Sequence, residues 1–303
     1  MVTPARNGLA TLDALPRLGL GISSEFDSAV KGIDAVSMRQ EQTGLIDFLE
    51  YGGDLERGLD EHVLRWAAHG WPTTYHFLDV NLEEAEDLGD DWLTETATLA
   101  RQIGAAWLCG DAGQWHFGPR DRGQQILLPP ILTAASADEM AACIERVQAV
   151  TGYVVLPENP PSTVYLGELH LLDYYARVSA RSNCGLLIDA AHLAIYQRMK
   201  GHAPTTGLDA FPCDRIVELH VAGGVPREHE GFSWVDDNHA PDPLPDTWEI
   251  VDYLVARASR LRAIVYECER NTTMEVLDHF RTLRPMIAPP SKQQESLNWQ
   301  EPD

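Results

Sequence analysis

The stretch CGLLIDAAH, from Cys184 to His192, decides how the chain is interpreted. An apolar run, LLI, ends in the carboxylate of Asp189 and, three residues later, in the imidazole of His192. A short apolar run of this kind is typical of a buried parallel strand. Polar side chains that directly follow such a strand lie at its carboxyl end, where barrel enzymes place their chemistry. The stretch therefore predicts a strand that delivers two polar residues to a site.

The same pattern recurs along the chain. Eight apolar runs precede longer amphipathic segments, and they occupy residues 18–22, 45–51, 73–78, 105–109, 153–156, 186–188, 216–221 and 263–266. Helices are predicted to begin near Asp54, Glu83, Ser136, Ser162 and Thr272, and long loops are predicted before residue 130 and over 223–245. Eight strands that alternate with helices predict an α/β fold, a single (β/α)8 TIM-type barrel.

The barrel prediction also divides the chain. We expect an N-terminal extension over residues 1–17, the TIM-type barrel domain over 18–287, and a disordered C-terminal tail over 288–303. The tail, APPSKQQESLNWQEPD, is rich in Pro, Gln, Ser and Glu, a composition that does not support a packed core.

Composition narrows the choice of partners. The 303 residues carry a net charge of -23, which disfavours nucleic acid, because nucleic-acid affinity comes chiefly from Lys and Arg. We find neither a membrane-spanning apolar stretch nor a secretory signal, so we predict a cytoplasmic protein with no membrane partner. The five cysteines form no CxxC pair and predict neither disulfides nor a zinc knuckle.

Nearly every predicted strand ends in a histidine or an acid. The polar residues at or just after the strand ends are Glu50, His76, Asp111, His116, Glu158, Asn159, Asp189, His192, Glu218, His220, Asp236, Asp237, His239 and Glu267. Taken singly, each has an ordinary structural explanation: Glu158 as a helix cap, Asp111 in an Asx turn, His116 as a loop aromatic, Asp236 as a solvated charge. The joint pattern at one rim favours a metal site.

Charge supports the same interpretation. Carboxylates a few ångströms apart raise one another's pKa, and only Arg120, Arg122 and Arg270 lie near these ends in sequence. Imidazole and carboxylate without thiolate suit iron, manganese or zinc. About ten candidate ligands exceed the roughly six positions of one ion, so two or three ions are expected.

Five motifs in order resemble the multinuclear non-haem iron-dependent oxidative enzymes, a family that includes the oxidase of methanobactin biosynthesis. The motifs are ENPPSTVYL (158–166), CGLLIDAAH (184–192), VELHVAGG (217–224), VDDNH (235–239) and YECERN (266–271), with weaker echoes around Glu50 and His76. The resemblance covers about residues 18–285.

The resemblance implies a TIM-type barrel that binds two or three iron ions at its carboxyl-end mouth and uses dioxygen as co-substrate. The residues that it implies as iron ligands are His76, Glu158, Asp189, His192, His220, Asp237, His239 and Glu267, with Asn159 as a ligand or its partner. Asp111 and His116 complete the expected metal set, although AGQW separates them where the family has an acid followed directly by His. We expect contacts to the ligands or to the substrate from Glu50, Glu218, Asp236, Trp115 and Trp234.

The implied activity is oxidation of a residue, often Cys, of a ribosomal peptide or a related small substrate in natural-product biosynthesis. A small partner protein that recognises the leader peptide is a further expectation. The departure at strand two, where Gly52, Gly53 and Asp54 replace the family's His and Glu-Asn pair, concerns substrate identity more than metal binding.

Two alternatives stay open at this point. One is a divalent-metal-dependent isomerase or phosphodiesterase of the xylose-isomerase-like barrel type. For the isomerase, Lys200 is the one candidate electrophile near strand six, and against the phosphodiesterase stands the net charge of -23. The other is an acidic binding module without activity. Bound iron and oxygen-dependent turnover separate the oxidase from both.

Overall fold

A computed structural model describes residues 10–26, 28–118 and 126–287, and it contains a closed parallel barrel. Eight parallel strands form the barrel: β1 (Gly19–Glu25), β2 (Phe48–Gly53), β3 (Thr73–Phe77), β4 (Ala105–Asp111), β5 (Val155–Glu158), β6 (Leu186–Asp189), β7 (Ile216–His229) and β9 (Ala263–Glu267). Each pairs with the next, and β9 closes the ring by pairing with both β7 and β1. The predicted (β/α)8 TIM-type barrel is confirmed.

Helices surround this ring. Their bounds are α1 (Ser28–Lys31), α2 (Ala35–Glu41), α3 (Glu61–Ala68), α4 (Asp90–Gln102), α5 (Ala134–Thr151), α6 (Leu171–Ser182), α7 (Ala190–Lys200), α8 (Pro245–Val255) and α9 (Thr273–Leu283). Among the described residues, none of these helices combines the length and the apolarity needed to cross a membrane.

Two layers of side chains fill the barrel interior. Side chains alternate along a strand, so residues two apart share a face. The lower layer is apolar and includes Phe48, Trp107, Leu156, Leu187 and Val265, all of them fully buried. Two residues further along the same strands the interior turns polar, because the positions that follow are occupied by acids or by a thiol. The strand sequences therefore place a buried apolar layer of side chains beneath a polar layer at the carboxyl end of the barrel.

The described part of the N-terminal segment closes the lower end of the barrel. Leu12 begins a short 3-10 helix (Leu12–Ala14) and Leu15 follows it, and both pack with Leu18 against the apolar layer. The boundary at residue 18 stays a prediction, and the predicted disordered tail lies outside the described residues.

The segment 223–245, predicted as a loop, is mostly a β-hairpin. β7 continues to His229, and β8 (Phe232–Ala240) returns antiparallel to it. Glu230 and Gly231 form the turn with φ of 49° and 82°, and positive φ at both central residues is typical of a type I′ hairpin turn. Asp is uncommon in strands, so this Asp- and His-rich composition suggested a loop. In the structure some of these residues point into the polar end of the barrel instead.

Three predicted helix starts were wrong. The helix expected near Asp54 begins at Glu61 and is capped by Asp60, whereas Asp54 accepts hydrogen bonds from Arg57 within a turn. The helix expected near Ser162 begins only at Leu171, and the acidic helix expected from residue 83 begins at Asp90. In each case polar residues that can cap a helix instead bond within the loop before it.

Gly185 offers a test of how tightly the lower end is packed. A Cβ built at Gly185 would approach side-chain atoms of Leu156 at 2.6 Å, Val217 at 2.8 Å and Leu12 at 3.2 Å. Overpacking a core costs about 1–3 kcal/mol, so we expect Gly185→Ala to lower the free energy of unfolding by that amount. Urea unfolding followed by circular dichroism measures it. In the control Gly89→Ala, the added Cβ meets no atom within 4 Å, and we expect a smaller loss. Equal losses in both variants would contradict the packing argument.

Candidate metal site

The carboxyl ends of the barrel strands and the β7–β8 hairpin bring acids and imidazoles into one buried cluster. The members of this mouth cluster are Glu50, His76, Asp111, Glu158, Asp189, His192, His220, Asp237, His239, Glu267 and Glu269. Five of them end or nearly end a barrel strand, which is why apolar runs that stop at a polar residue identified them: His76, Asp111, Glu158, Asp189 and Glu267. Eight of the eleven members line a cavity of about 440 Å³ at the mouth, and Glu158, Asp189 and His220 do not reach its wall.

Glu158 lies at the centre of the cluster. Its Oε2 lies 2.8 Å from His76 Nε2, and its Oε1 lies 3.4 Å from His192 Nδ1 and 3.5 Å from His220 Nδ1. His220 connects further, with Nε2 at 2.9 Å from Glu50 Oε1 and Nδ1 at 3.3 Å from Glu267 Oε1. One carboxylate thus bridges three imidazoles, as a ligand shared between two ions would.

Asp189 and His192 reach the cluster through the start of α7. Asp189 is the N-cap of that helix, and its Oδ1 accepts a 2.5 Å hydrogen bond from the backbone N–H of His192. The cap fixes the imidazole, whose Nε2 lies 3.1 Å from Asp237 Oδ2 on β8. His239 completes this side, with Nε2 at 3.8 Å from both Asp237 Oδ2 and Glu267 Oε2. The stretch CGLLIDAAH therefore supplies a strand end, a helix cap and a pair of donor residues.

Many donor atoms of the cluster have no hydrogen-bond partner although they are buried. The atoms are Asp111 Oδ1, Glu158 Oε1, Asp189 Oδ2, Asp237 Oδ1, Glu267 Oε2 and both ring nitrogens of His220. A buried polar atom without a partner costs about 1–3 kcal/mol, so a native protein rarely leaves one. His220 is close to three carboxylates, yet its nitrogens satisfy no hydrogen-bond geometry. Atoms that converge in this way fit bonds to metal ions.

Charge leads to the same conclusion. Eight carboxylates in or directly below the mouth face four imidazoles, so even full protonation of the imidazoles leaves an excess of negative charge. The carboxylates are Glu50, Asp111, Glu158, Asp189, Glu218, Asp237, Glu267 and Glu269. The two arginines that line the cavity are engaged by acids outside the cluster, Arg57 by Asp54 and Arg270 by Glu25. Bound cations would balance the excess.

The pKa values of several cluster residues are shifted because acids and imidazoles are buried close together. Burial lowers the pKa of His76, but the hydrogen bond to Glu158 and the charges of Glu158 and Glu50 outweigh it and raise the pKa to about 9. Burial would raise the pKa of Glu158, yet His220 and His76 hold it well below its usual range. Burial raises the pKa of Asp189 to about 8, against the charge of His192. Without cations, acids and imidazoles must share protons.

The donors fall into overlapping groups of metal-site size. Within each group the candidate ligand atoms lie within 4.8 Å of one another, and the groups are Glu50, His76 and His220; His76, Asp111 and Glu158; Glu158, Asp189, His192 and Glu267; and His192, Asp237 and His239. The groups share His76, Glu158 and His192, which is the arrangement of adjacent ions with bridging ligands. Residues from every predicted motif therefore meet in one place.

Two residues predicted as metal ligands have other partners. His116 directs Nε2 to Asp87 Oδ2 at 3.1 Å and Nδ1 to Gly118 O at 2.6 Å, so both ring nitrogens are engaged away from the cluster. The side-chain amide of Asn159 bonds the backbone N–H and C=O of Asp189, each at 3.0 Å. Asn159 thus positions the end of β6 in this structure, and the assignment of Asn159 and His116 as metal ligands stays a prediction.

The five residues expected to contact the ligands or the substrate take different places. Glu50 belongs to the cluster itself, and Glu218 lies below it, where Oε2 accepts a 2.7 Å hydrogen bond from Trp107. Trp115 lines the cavity and donates from Nε1 to Asp111 O at 3.2 Å. Asp236 faces away from the cluster, bonded to Trp234 and Arg227. Trp234 accordingly lines a groove outside the hairpin and not the cavity.

Glu269 is a cluster residue that the sequence reasoning missed. Its Oε2 lies 2.6 Å from His239 Nδ1. Burial would raise the pKa of Glu269, but the charge of His239 and its hydrogen bond outweigh burial and lower the pKa to about 2. Strand alternation gave no signal for it, because Glu269 lies two residues beyond the end of β9 at Glu267. The residue that holds a ligand histidine fixes the tautomer and direction of the ring.

Glu269→Gln should therefore weaken metal binding without removing a ligand. Loss of such a partner typically costs 10- to 100-fold in metal affinity, and we expect a change of about that size. Competition with a chromophoric chelator measures it. Glu275→Gln, a charge-matched change in the capping box of α9, is the control. An unchanged affinity in Glu269→Gln would show that His239 needs no support from Glu269.

Solved structures with similar backbones are barrels. A xylose isomerase domain-containing protein from Salmonella typhimurium LT2 aligns over 89% of this chain and 98% of its own, with a TM-score of 0.57 and 13% identity. The TTHB071 protein from Thermus thermophilus, soaked with ZnCl2, aligns over 88% and 98%, with a TM-score of 0.52 and 18% identity. Identities this low show the fold alone.

Sequence relatives include proteins named UPF0276. One from Caulobacter sp. strain K31 is 34% identical over 142 residues, which span 46% of this chain and 50% of that protein. Another, from Caulobacter vibrioides, is 26% identical over 240 residues, 77% of this chain and 82% of that protein.

A protein-family model matches nearly the whole barrel. Residues 18–282, which contain all of β1 to β9 and every member of the cluster, match the model described as "RiPP precursor modification enzyme MbnB/TglH/ChrH", where RiPP denotes a ribosomally synthesised and post-translationally modified peptide. The chain belongs to the MbnB/TglH/ChrH family of RiPP precursor modification enzymes.

Proposed function

We propose that the chain is a multinuclear non-haem iron-dependent oxidase that uses dioxygen to modify a residue, often Cys, of a ribosomal peptide. The observation that carries this proposal is the set of buried, partnerless donor atoms that converge at the mouth. Family membership supports a peptide as the substrate.

The donor set suits two or three iron ions. Four imidazoles and a majority of carboxylates match the preference of non-haem iron, and no thiolate belongs to the groups around Glu158. The residues that would hold the ions are His76, Asp111, Glu158, Asp189, His192, His220, Asp237, His239 and Glu267, with Glu50 beside His220. Bound iron would supply one-electron redox chemistry with dioxygen and open positions for a substrate thiolate.

The protein's own contribution is binding, orientation and exclusion of water. The mouth cavity of about 440 Å³ can admit one side chain and its neighbours from an extended peptide. Leu78, Leu127 and Trp115 form apolar parts of its wall, and Ser23 and Ser24 offer hydroxyls from β1. A peptide side chain inserted here would face the cluster while its backbone stays outside.

Partners follow from charge and family. A net charge of -23 suits a basic leader peptide or a basic partner by electrostatic steering, and a small leader-recognising protein fits this role. We propose a cytoplasmic location, with neither nucleic acid nor membrane as partner.

The isomerase alternative loses its candidate electrophile. Lys200 ends α7, donates to Tyr165 O at 3.3 Å and lies 5.9 Å from the centre of the Tyr196 ring. None of these three residues lines the mouth cavity. A barrel isomerase that uses a lysine would need that group beside its metals.

An oxygen-dependence experiment tests the proposal. Protein purified without oxygen is mixed with synthetic Cys-containing peptides, with and without dioxygen, and the peptides are analysed by mass spectrometry. We expect a mass change that requires both dioxygen and iron. Turnover that proceeds without oxygen, or with zinc or manganese in place of iron, would contradict the proposal and favour the isomerase or phosphodiesterase.

A further inference from the structure

The β7–β8 hairpin leaves one backbone edge open. β8 pairs with β7 only and is the last strand of the sheet order, so its far edge meets no other strand among the described residues. An edge strand presents unpaired N–H and C=O groups, which form a template for another extended chain. The far edge of β8 is therefore a candidate binding surface for such a chain.

Pro226 fixes which residues of β8 present these groups. Pro226 has no N–H and faces Val235 across the hairpin, so this pair belongs at a non-hydrogen-bonded position of the ladder. The turn leads to the same assignment. A two-residue turn at Glu230 and Gly231 makes His229 and Phe232 a hydrogen-bonded pair, and the pairs then alternate along the ladder so that Pro226 and Val235 form a non-hydrogen-bonded pair. The N–H and C=O of Ser233, Val235 and Asp237 therefore point away from β7. Within the ranges that the structure describes, no hydrogen bond occupies them.

The two edges of the hairpin differ in a way that favours β8. On β7, Pro226 occupies an outward-facing position, and a proline there blocks strand addition. On β8, the sequence FSWVDDNH from Phe232 to His239 contains neither proline nor lysine. One edge is thus blocked by a proline and the other is not, and along that other edge Ser233 is exposed whereas Val235 is buried.

The open edge leads directly to the mouth cluster. Ser233 and Asp237 are four residues apart, about 13 Å at roughly 3.3 Å per residue. At the inner end, the carboxylate of Asp237 lies 3.1 Å from His192 Nε2. A chain that paired with Ser233 and Val235 would therefore arrive at the candidate metal ligands within a few residues.

Both faces of the hairpin offer contacts to the side chains of an added strand. On one face the rings of Phe232 and Trp234 stack with centroids 5.7 Å apart, and Phe232 is half exposed. Between the hairpin and α7 lies a groove of about 720 Å³, to which Val235, Ile195 and Met199 contribute apolar atoms. Backbone pairing with pockets for alternate side chains is how proteins recognise extended peptides by strand addition.

We propose that an extended segment of the precursor peptide adds as a strand to the open edge of β8 and is thereby directed into the mouth cavity. The occupant follows from the family, whose substrates are precursor peptides, and from the course of the edge toward Asp237. This inference rests on the proposed function, because it assigns the substrate of the same site a binding track.

Matched proline variants test the track. Ser233 and Glu228 face each other at a non-hydrogen-bonded position, and both are exposed. Ser233→Pro removes an outward N–H from the open edge, whereas Glu228→Pro removes one from the edge that Pro226 already blocks. The probe is a 12-residue peptide with one Cys, selected from an mRNA-displayed library on the wild-type protein as purified. Fluorescence anisotropy gives its affinity for all three proteins.

We expect Ser233→Pro to bind the selected peptide at least about tenfold more weakly and Glu228→Pro to bind within about twofold of wild type. The metal content should stay unchanged in both. On the wild-type protein, the peptide should slow hydrogen exchange at the amides of Ser233 and Val235, a measurement that needs no variant. Equal binding by Ser233→Pro, equal weakening by both variants, or unprotected amides at these positions would overturn the track.

Failure of the track and failure of the proposed function have different signatures. Oxygen-dependent modification of the peptide that Ser233→Pro leaves intact overturns only the track. Peptide binding that depends on Ser233, without any oxygen-dependent mass change, upholds the track and removes the oxidase.

Discussion

Glu158→Gln is expected to remove at least one iron ion per chain and to abolish oxygen-dependent peptide modification. The carboxylate of Glu158 lies within 3.5 Å of three buried imidazoles, those of His76, His192 and His220. The amide keeps the size of the side chain but lacks the charge and the second acceptor oxygen that a bridging ligand needs. Metal ions supply several kcal/mol of barrier lowering, and about 1.4 kcal/mol is a tenfold rate change, so activity should fall roughly a thousandfold or more.

Elemental analysis and turnover of the same preparations provide the measurement. Glu168→Gln is the matched control, since Glu168 is exposed on the loop that follows the same strand. It should retain the metal content and activity of wild type. A Glu158→Gln protein that holds as much iron as wild type would show that the geometric centre of the cluster is not a ligand.

Metal removal is expected to lower the thermal stability by at least about 10 °C. An ion at a thousand times its dissociation constant stabilises the folded state by about 4 kcal/mol, so two ions contribute about 8 kcal/mol. For a domain of this size, 1 kcal/mol corresponds to about 2–4 °C in the melting temperature. Removal of the ions should also destabilise the folded state directly, because eight buried or half-buried carboxylates then repel one another.

Scanning calorimetry before and after treatment with a chelator measures this shift. Anaerobic addition of Fe²⁺ should restore the melting temperature of the wild type, and it should restore less in Glu158→Gln. A metal-free protein, verified by elemental analysis, that melts at the temperature of the loaded protein would contradict the view that the cluster is built around cations.

The fold was predictable from the sequence because the barrel strands are fully buried. Strands such as Leu186–Asp189 have both faces covered, so each reads as an apolar run with a polar residue at its end. The same regularity identified most of the mouth cluster, since parallel strands place their carboxyl ends at one rim. Glu269 was missed because it lies beyond the end of β9, where the strand pattern has stopped.

The hairpin was not predictable in the same way. Beyond Gly224 its residues are exposed or half-buried except Val235, so the buried apolar run that marks the barrel strands is absent. Only the turn at Glu230 and Gly231 carried a local signal. His116 illustrates a second limit: spacing suggested a ligand, but Asp87, 29 residues earlier, determines where the ring points. Contacts between distant loops leave no periodic trace in a sequence.

Counting the bound iron by Mössbauer spectroscopy tests the central claim most directly. Protein produced with ⁵⁷Fe and purified without oxygen should contain two or three iron ions per chain, with spectra that change when a Cys-containing peptide is added. Fewer than two iron ions per chain after iron reconstitution, or a mouth cluster that retains zinc or manganese in preference to iron, would contradict the account.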